Sequence, residues 1–447
     1  MMDSQAATNF NGIGAAAIVC LCLLILLLPK RYSILPIVVG VCYLTLGQIL
    51  LVGPFHFYTV RILILFGLLR VFIRRETRSV VPIPLDRTTL LFVTVCSIAY
   101  SFQWMNLEGI INRLGFAFNI LGLYFLFRVM LDNREDVLFT YRFLSVAMVP
   151  LALLFLLEAS TGRNVFSVFG GIPDITMIRD GKLRCQGPFR HPILAGTFAA
   201  TLIPVLAAKL ARRGDNRWPF LLGFLSSVVI VVASNSSGPV LAVGFSVIGF
   251  LLWRYRRKMR MVRISLVLGI VSLHLVMKAP VWSLIGRVSN LIGGTGYHRV
   301  ELIDAAIGHF DEWWMIGTNV TAHWLDDPLP DDPSNIDITN QYIFVGISGG
   351  LLSLYYFLKM LKVTYGMIGE LRKHFETADP AMELFVWGCG VSLFAHIASF
   401  ISVVYFDQMI VFFYLLLASV ATMYVEQRPS FAPPVKPRFA GFPGHAA

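Results

Sequence analysis

The sequence predicts an all-α protein, a polytopic membrane bundle of about 12–13 transmembrane helices. Three observations lead to this prediction. Apolar residues make up 56% of the 447 residues, charged residues make up only 14%, and the mean hydropathy is +0.71. About thirteen apolar runs of roughly 16–22 residues recur along the chain, which is the length that a helix needs to cross a bilayer. Backbone polar groups in lipid must be satisfied within their own segment, which favours helices.

The predicted helices follow the apolar runs in chain order. The runs are centred at roughly residues 21, 43, 65, 96, 122, 149, 200, 226, 246, 271, 350, 394 and 416. We expect residues 1–427 to form one integral membrane domain. Residues 428–447 are rich in proline, which is typical of a disordered tail, and we expect them to lie on the cytoplasmic side.

Basic residues between the runs predict the orientation. Lys30 and Arg31 follow the first run, and the very basic segment 254–263 follows the ninth. These and the other basic loops alternate onto one side, which the positive-inside rule assigns to the cytoplasm. The long segments 158–191 and 281–338 then lie on the outer face. The net charge of +11 fits basic loops beside anionic lipid and does not require nucleic acid.

The stretch "RCQGPFRHPILAG", residues 184–196, breaks this charge rule because it is basic and lies on the outer face. Pro192 suits the first residue of the seventh membrane helix, so the positive end of the helix dipole points outward. Arginine grips phosphate oxygens with two donors at once, so the stretch predicts an anion site that suits phosphate. The alternative is a set of arginines that contact lipid headgroups. The cationic side chains in and just before the stretch are Arg179, Lys182, Arg184, Arg190 and His191.

The second outer segment begins with a predicted helix. Residues 297–314 have helical spacing, with an apolar stripe at Val300, Ile303 and Ile307, which indicates a short helix at the membrane surface. Arg299 lies on this helix.

An acidic stretch, residues 326–337, follows this helix. It is interpreted as a solvated loop that caps the next helix through Asp337 or Thr339, because its spacing matches no calcium loop. His323 is either a base or an ordinary loop residue. A third helix start, residues 234–244, also lies on the outer face. We expect it to converge with the helix starts near residues 192 and 340.

Three stretches together resemble the O-antigen ligase and polysaccharide polymerase superfamily of bacterial membrane proteins. "RCQGPFRHPILAG" is similar to that family's Arg-x-x-Gly-x-x-x-x-Pro element at the start of a central helix. "GYHRVELIDAAIGHFDEWWMIGTN" resembles its arginine-bearing helix in the large periplasmic loop, and "TNQYIFVGISGGLLSL" resembles its Asn-x-Tyr element with a glycine pair. The likeness covers roughly residues 90–425.

The resemblance implies a glycan donor linked to undecaprenyl diphosphate, used on the periplasmic face of the bacterial inner membrane without a cofactor or metal. It implies that Arg184 and Arg299 contact the diphosphate, and that Asn340 follows the position of a loop histidine. That position holds Thr339 here, and threonine is a poor base at neutral pH. The candidate replacements for the base are His191, His298, His323 and Asp337.

We therefore expect a metal-independent glycosyltransferase that transfers or polymerises lipid-diphosphate-linked glycans, with exopolysaccharide synthesis favoured. The expected partners are undecaprenyl-diphosphate-linked oligosaccharide, membrane lipid and other polysaccharide assembly and export proteins, and not nucleic acid. Two alternatives stay open: an O-antigen ligase that transfers glycan to a lipid A core, and a non-catalytic or transport component of an export system. The expected diphosphate-binding residues are Arg179, Arg184, Arg190, His191 and Arg299.

Overall fold

The computed structural model describes residues 8–76, 80–211, 217–291, 296–326, 328–329 and 332–431. These residues are mostly helical with little sheet, which confirms the predicted all-α class. The α-helices are α1 Gly12–Leu27, α2 Leu35–Tyr43, α3 Thr59–Arg74, α4 Pro84–Trp104, α5 Leu107–Met130, α6 Arg134–Thr161, α7 Pro192–Leu210, α8 Trp218–Ala233, α9 Ser237–Leu251, α10 Met259–Val276, α11 Ser283–Leu291, α12 Gly296–Gly308, α13 Phe310–Trp313, α14 Gln341–Ala378, α15 Pro380–Ser399 and α16 Gln408–Phe431.

Short strands pair within three small sheets outside the main bundle. Strand β1 pairs in parallel with β2, and the β2–β3, β4–β5 and β6–β7 pairs are antiparallel hairpins. The strands are β1 Thr8–Asn9, β2 Gln48–Val52, β3 Phe55–Tyr58, β4 Met177–Arg179, β5 Lys182–Arg184, β6 Pro328–Leu329 and β7 Asp332–Ile336.

Among the described residues, seven helical stretches are long and apolar enough to cross a membrane, so the chain is a membrane protein. Two shorter apolar helices, α1 and α8, accompany them. The apolar run near residue 43 forms no full-length helix: α2 has nine residues and the β2–β3 hairpin follows. The long stretches are Leu107–Met130, Arg134–Thr161, Pro192–Leu210, Ser237–Val276, Gln341–Ala378, Pro380–Ser399 and Gln408–Arg428.

Helix α16 runs to Phe431, so it extends into the predicted tail at 428–447. Residues 432–447 of that tail lie outside the described residues.

Helix α7 lies at the centre of the bundle, where it packs against α8, α9 and α15. Most of its side chains are buried, and many of them are small, which lets neighbouring helices approach closely. A Cβ added at Gly196 would lie 2.3 Å from Ser234 Oγ and 2.6 Å from Pro239 Cγ. The start of α9 therefore packs directly on the first turn of α7.

One end of the bundle carries the segments 158–191 and 281–338, and we call it the loop end. The backbone N–H of Cys185 donates to the carbonyl of Ala233, the last residue of α8, at 3.0 Å. The starts of α7, α9 and α14 also lie at this end. The opposite end holds buried or half-buried ion pairs, including Arg70–Glu76, Arg128–Asp86 and Arg256–Glu383.

The segment between α15 and α16 contacts the starts of both α14 and α9. The N–H of Gln341, the first residue of α14, donates to Phe400 O at 2.7 Å. Ser402 Oγ lies 3.2 Å from the position of a Cβ added at Gly238, in the first turn of α9. The starts of α9 and α14 therefore both contact this short segment, and the start of α7 packs beside that of α9.

The described residues of the segment 296–338 form a small layer, which we call the loop layer, with its own apolar core packed on the first turns of α14. Helices α12 and α13 replace the single helix predicted over 297–314. The buried face of α12 contains Arg299, Leu302 and Ala306, whereas Ile307 of the predicted stripe is 53% exposed. The core of this layer contains Leu302, Ala306, Trp313, Trp324, Ile336, Ile338, Ile343 and Ile347.

Helix α14 is broken at Gly349 and Gly350, and the loop layer fills the break. Gly350 has φ +71° and ψ −174°, a backbone conformation that is almost confined to glycine. The N–H of Leu351 donates to Trp314 O at 2.8 Å, and the N–H of Thr318 donates to Ile347 O at 2.9 Å. The N–H of Leu351 and the carbonyl of Ile347, which an unbroken helix would pair with each other, are therefore paired with the loop layer instead.

Candidate anion-binding site

A buried carboxylate shapes the loop that carries the predicted anion site. Glu158, near the end of α6, accepts hydrogen bonds from the N–H of Gln186 at 3.0 Å and the N–H of Gly187 at 2.9 Å. The hydroxyl of Thr176 donates to it at 3.2 Å. Hydrogen bonds to a charged acceptor are stronger than neutral ones, so Glu158 fixes the chain just after Arg184. Sequence analysis did not single out this residue.

The β4–β5 hairpin places cationic side chains on one face. Met177 pairs with Arg184, and Arg179 pairs with Lys182. Side chains two residues apart on a strand, and those of directly paired residues, point to the same face. Arg179, Lys182 and Arg184 therefore share one face of the hairpin. Asp180 and Gly181 lie between its two strands.

Arg184 is buried among neutral groups. Its Nη2 donates to Ser236 Oγ at 2.7 Å, and its Nη1 lies 3.8 Å from Met177 Sδ. Its Nε is also buried and makes no hydrogen bond within the described residues. Burial lowers the pKa of Arg184, the charge of Arg179 lowers it further, and Asp180 opposes the effect. Arginine stays protonated in proteins, so Arg184 is a buried cation held by neutral groups.

Arg299, on α12, also lies near the charge of Arg179. Its side chain is buried on the inner face of the helix. Burial lowers its pKa, and the charge of Arg179 lowers it further. Arg179 itself is largely exposed and lies 3.8 Å from the exposed carboxylate of Asp180. The exposed guanidinium of Arg179 thus lies near two buried guanidiniums, Arg184 and Arg299, which come from distant parts of the sequence.

His191 completes this group, which we call the arginine cluster: Arg179, Arg184, His191 and Arg299. His191 is the N-cap of α7, and its Nδ1 accepts from the N–H of Ile193 at 3.2 Å. Burial, with the charges of Arg184 and Arg179, lowers the pKa of His191 to about 4. The imidazole is therefore neutral at pH 7 and carries its proton on Nε2, because Nδ1 is the acceptor. This arrangement makes His191 a hydrogen-bond donor.

Arg190 occupies a different environment. Its Nε lies 2.9 Å from Asp407 Oδ2, but the N–H is not aligned with the oxygen, so the contact is an ion pair without a hydrogen bond. Its guanidinium also lies 5.7 Å from the ring centre of Tyr58. Burial raises the pKa of Asp407 to about 6, against the effect of the Arg190 charge. The charge of Arg190 is thus matched by a carboxylate of this chain.

The residues at the start of α14 have mainly structural contacts. Asn340 is the N-cap, and its side chain accepts from the N–H groups of Tyr342 at 2.9 Å and Ile343 at 3.2 Å. The cap is therefore Asn340, and the prediction of a cap at Asp337 or Thr339 was wrong. The hydroxyl of Thr339 is buried and makes no hydrogen bond in the described part of the chain.

The other candidate bases lie on the loop layer. His298 Nε2 is 3.3 Å from the carbonyl of Asp337, and the side chain of Asp337 is exposed. His323 Nε2 lies 2.9 and 3.0 Å from the two carboxylate oxygens of Glu312. Residues 327, 330 and 331 of the acidic stretch lie outside the described residues.

The chain was compared with protein-family models and with curated proteins. No family model and no curated protein matches it. The resemblance to the O-antigen ligase and polysaccharide polymerase superfamily therefore stays a prediction, based on the three stretches that carry it.

Proposed function

We propose that the chain transfers or polymerises glycans carried on undecaprenyl diphosphate, at the periplasmic face of the bacterial inner membrane. The observation that carries the proposal is the arginine cluster at the loop end of a membrane bundle. A guanidinium binds phosphate oxygens through two parallel hydrogen bonds, and the buried Nε of Arg184 makes no hydrogen bond within the described residues. A lipid diphosphate supplies several negative charges at the depth where a membrane helix begins.

In the proposed reaction, an acceptor hydroxyl attacks the anomeric carbon of the donor glycan. The new glycosidic C–O bond forms while the bond to the diphosphate oxygen breaks, and undecaprenyl diphosphate leaves. Arg184 and Arg299 stabilise the negative charge that grows on the leaving group, and the Nε2–H of His191 donates to one of its oxygens. These donors are held in place before the reaction. They need no reorganisation when the charge develops, and this lowers the barrier.

A base must take the proton of the acceptor hydroxyl. Because its Nδ1 caps α7 and its pKa is near 4, His191 is poorly suited to this role. His298 and Asp337, which lie beside each other, are the better candidates among those predicted. Thr339 in the usual histidine position favours an exopolysaccharide polymerase over an O-antigen ligase.

The proposal is tested in a strain that lacks the gene and carries wild type, Arg184→Ala, Arg299→Ala or a control. Arg163→Ala is the matched control, because Arg163 lies in the same outer segment, is largely exposed and pairs with Asp174 at 3.1 Å. Membrane levels are measured by blot, polymer by gel, and lipid-linked glycans by mass spectrometry.

We expect both cluster variants to accumulate lipid-linked repeat units and to lose polymer at normal protein levels, while Arg163→Ala behaves as wild type. Normal polymer from both cluster variants at equal protein levels would contradict the proposal.

A further inference from the structure

The loop layer contains a second cluster of chemically active side chains, outside the arginine cluster. His309 lies at the junction of α12 and α13, Glu312 is on α13, and His323 is on the 3₁₀ turn Ala322–Trp324. The nearest imidazole nitrogen or carboxylate oxygen of each residue lies within 4.8 Å of the other two. We infer that these three residues bind a transition-metal cation of the Zn²⁺ type.

The separations fit such an ion. His323 Nε2 and Glu312 Oε1 are 2.9 Å apart, and His309 Nδ1 and Glu312 Oε1 are 3.8 Å apart. Ligand atoms around a tetrahedral zinc ion, each at about 2.0–2.1 Å from the metal, are roughly 3.3 Å apart. The two distances bracket this value, so small side-chain movements would bring the three atoms onto one ion. Two imidazoles and a carboxylate are a ligand set that Zn²⁺ favours.

Trp324 supports the carboxylate from outside the ligand set. Its Nε1 donates to Glu312 Oε2 at 3.0 Å, which leaves Oε1 facing both histidines. Carboxylate ligands in metal sites are commonly oriented by such hydrogen bonds.

A hydrogen-bonded pair between His323 and Glu312 would exist without a metal, and it does not account for His309. The His309 nitrogen is too far from the carboxylate for a hydrogen bond. Its ring centre nevertheless lies 5.1 Å from that of His323, and both rings flank the same oxygen. The ring of His309 also packs against Trp324, with ring centres 5.4 Å apart, and a bound ion would in addition give its Nδ1 a partner.

The three side chains are between 30% and 50% exposed, so the ion keeps a position for water. The site joins α13 to the turn that carries Trp324, a core residue of the loop layer. Metal binding would therefore fasten that layer. This inference does not depend on the proposed glycan chemistry, and it removes His323 from the candidate bases.

The test uses the full chain in detergent, purified with a tag that contains no histidine and stripped with a chelator. Co²⁺ is titrated and followed by its visible absorption, and Zn²⁺ is then added in competition. Bound metal is counted by mass spectrometry. The variants are His309→Ala, Glu312→Gln and His323→Ala, and His56→Ala is the control, because His56 is an exposed histidine elsewhere at the loop end.

We expect one equivalent of metal in wild type and in His56→Ala. Each ligand variant should lose more than about tenfold in affinity, since even mutation of an outer partner costs this much. Zn²⁺ should also raise the melting temperature of wild type and not that of Glu312→Gln, a variant that keeps the size of the side chain. Equal metal uptake by wild type and the ligand variants, or no saturable uptake by wild type, would overturn the inference.

Discussion

The substitution Glu158→Gln tests whether this buried carboxylate holds the loop that presents Arg184. Glu158 accepts from the backbone N–H groups of Gln186 and Gly187 through different oxygens. Glutamine keeps one of these oxygens as an acceptor and replaces the other with an NH₂ group, which cannot accept. One hydrogen bond to a charged group is lost, about 1.5–3 kcal/mol, and the other becomes a neutral bond that is weaker by about 1 kcal/mol.

The total loss is about 2.5–4 kcal/mol in the local stability of the loop. Since 1.4 kcal/mol is a factor of ten, hydrogen exchange of the Gln186 and Gly187 amides should become roughly 60- to 700-fold faster. Glycan transfer should fall as well, because the loop presents Arg184 of the arginine cluster.

The assay is hydrogen exchange with mass spectrometry on the purified protein, combined with polymer output in cells. Glu108→Gln is the matched control, because Glu108 is an exposed glutamate at the start of α5. Unchanged exchange at residues 186 and 187 in the Glu158 variant would refute the reasoning. Faster exchange with undiminished polymer would show that the position of the loop does not matter for activity.

Three further predictions concern single positions. Arg184→Lys keeps the charge but loses the planar donor set and the bond to Ser236, so polymer output should fall by about tenfold or more; output equal to wild type would mean that charge alone suffices. Gly350→Ala forces a side chain into a glycine-only conformation and 2.2 Å from Met315 O, so it should destabilise the protein by about 2 kcal/mol or more, seen as a lower melting temperature. For His191, the folded pKa is about 4 and the unfolded pKa is near 6.5, so the unfolded chain binds a proton that the folded protein does not, and the contribution of His191 to stability should fall as the pH drops from 6.5 to 4, opposite in sign to that of Asp407. His191→Asn keeps a capping oxygen and should flatten this part of a plot of melting temperature against pH; an unchanged slope would contradict the assignment.

The features that the sequence predicted well depend on local pattern. The apolar runs predicted the helices, and Pro192 marked the first residue of α7 because a proline at that position loses no hydrogen bond. Arg184 was singled out by charge on a face where the topology rule disfavours it, and Arg299 by the family resemblance. Their shared environment with Arg179 required the structure, because it depends on a hairpin and on the packing of α12.

The features that the sequence analysis missed depend on distant partners. In the sequence, Glu158 is a polar residue at the end of an apolar run. The N–H groups that donate to it, those of Gln186 and Gly187, become its neighbours only when the loop is folded. The apolar run near residue 43 predicts one membrane helix, but Gly53 and Pro54 form a turn signal between two short strands. The cluster of His309, Glu312 and His323 joins two segments across an irregular loop, so it matches no metal-binding motif of fixed spacing.

The most direct test of the central claim is binding of undecaprenyl diphosphate to the purified chain in lipid nanodiscs, measured by native mass spectrometry. Wild type, Arg184→Ala, Arg299→Ala and the control Arg163→Ala are compared, with undecaprenyl monophosphate as the competing lipid. The account predicts that wild type and the control prefer the diphosphate and that each cluster variant binds it at least about tenfold more weakly. Equal diphosphate binding by all four proteins would contradict the assignment of the arginine cluster to a lipid diphosphate.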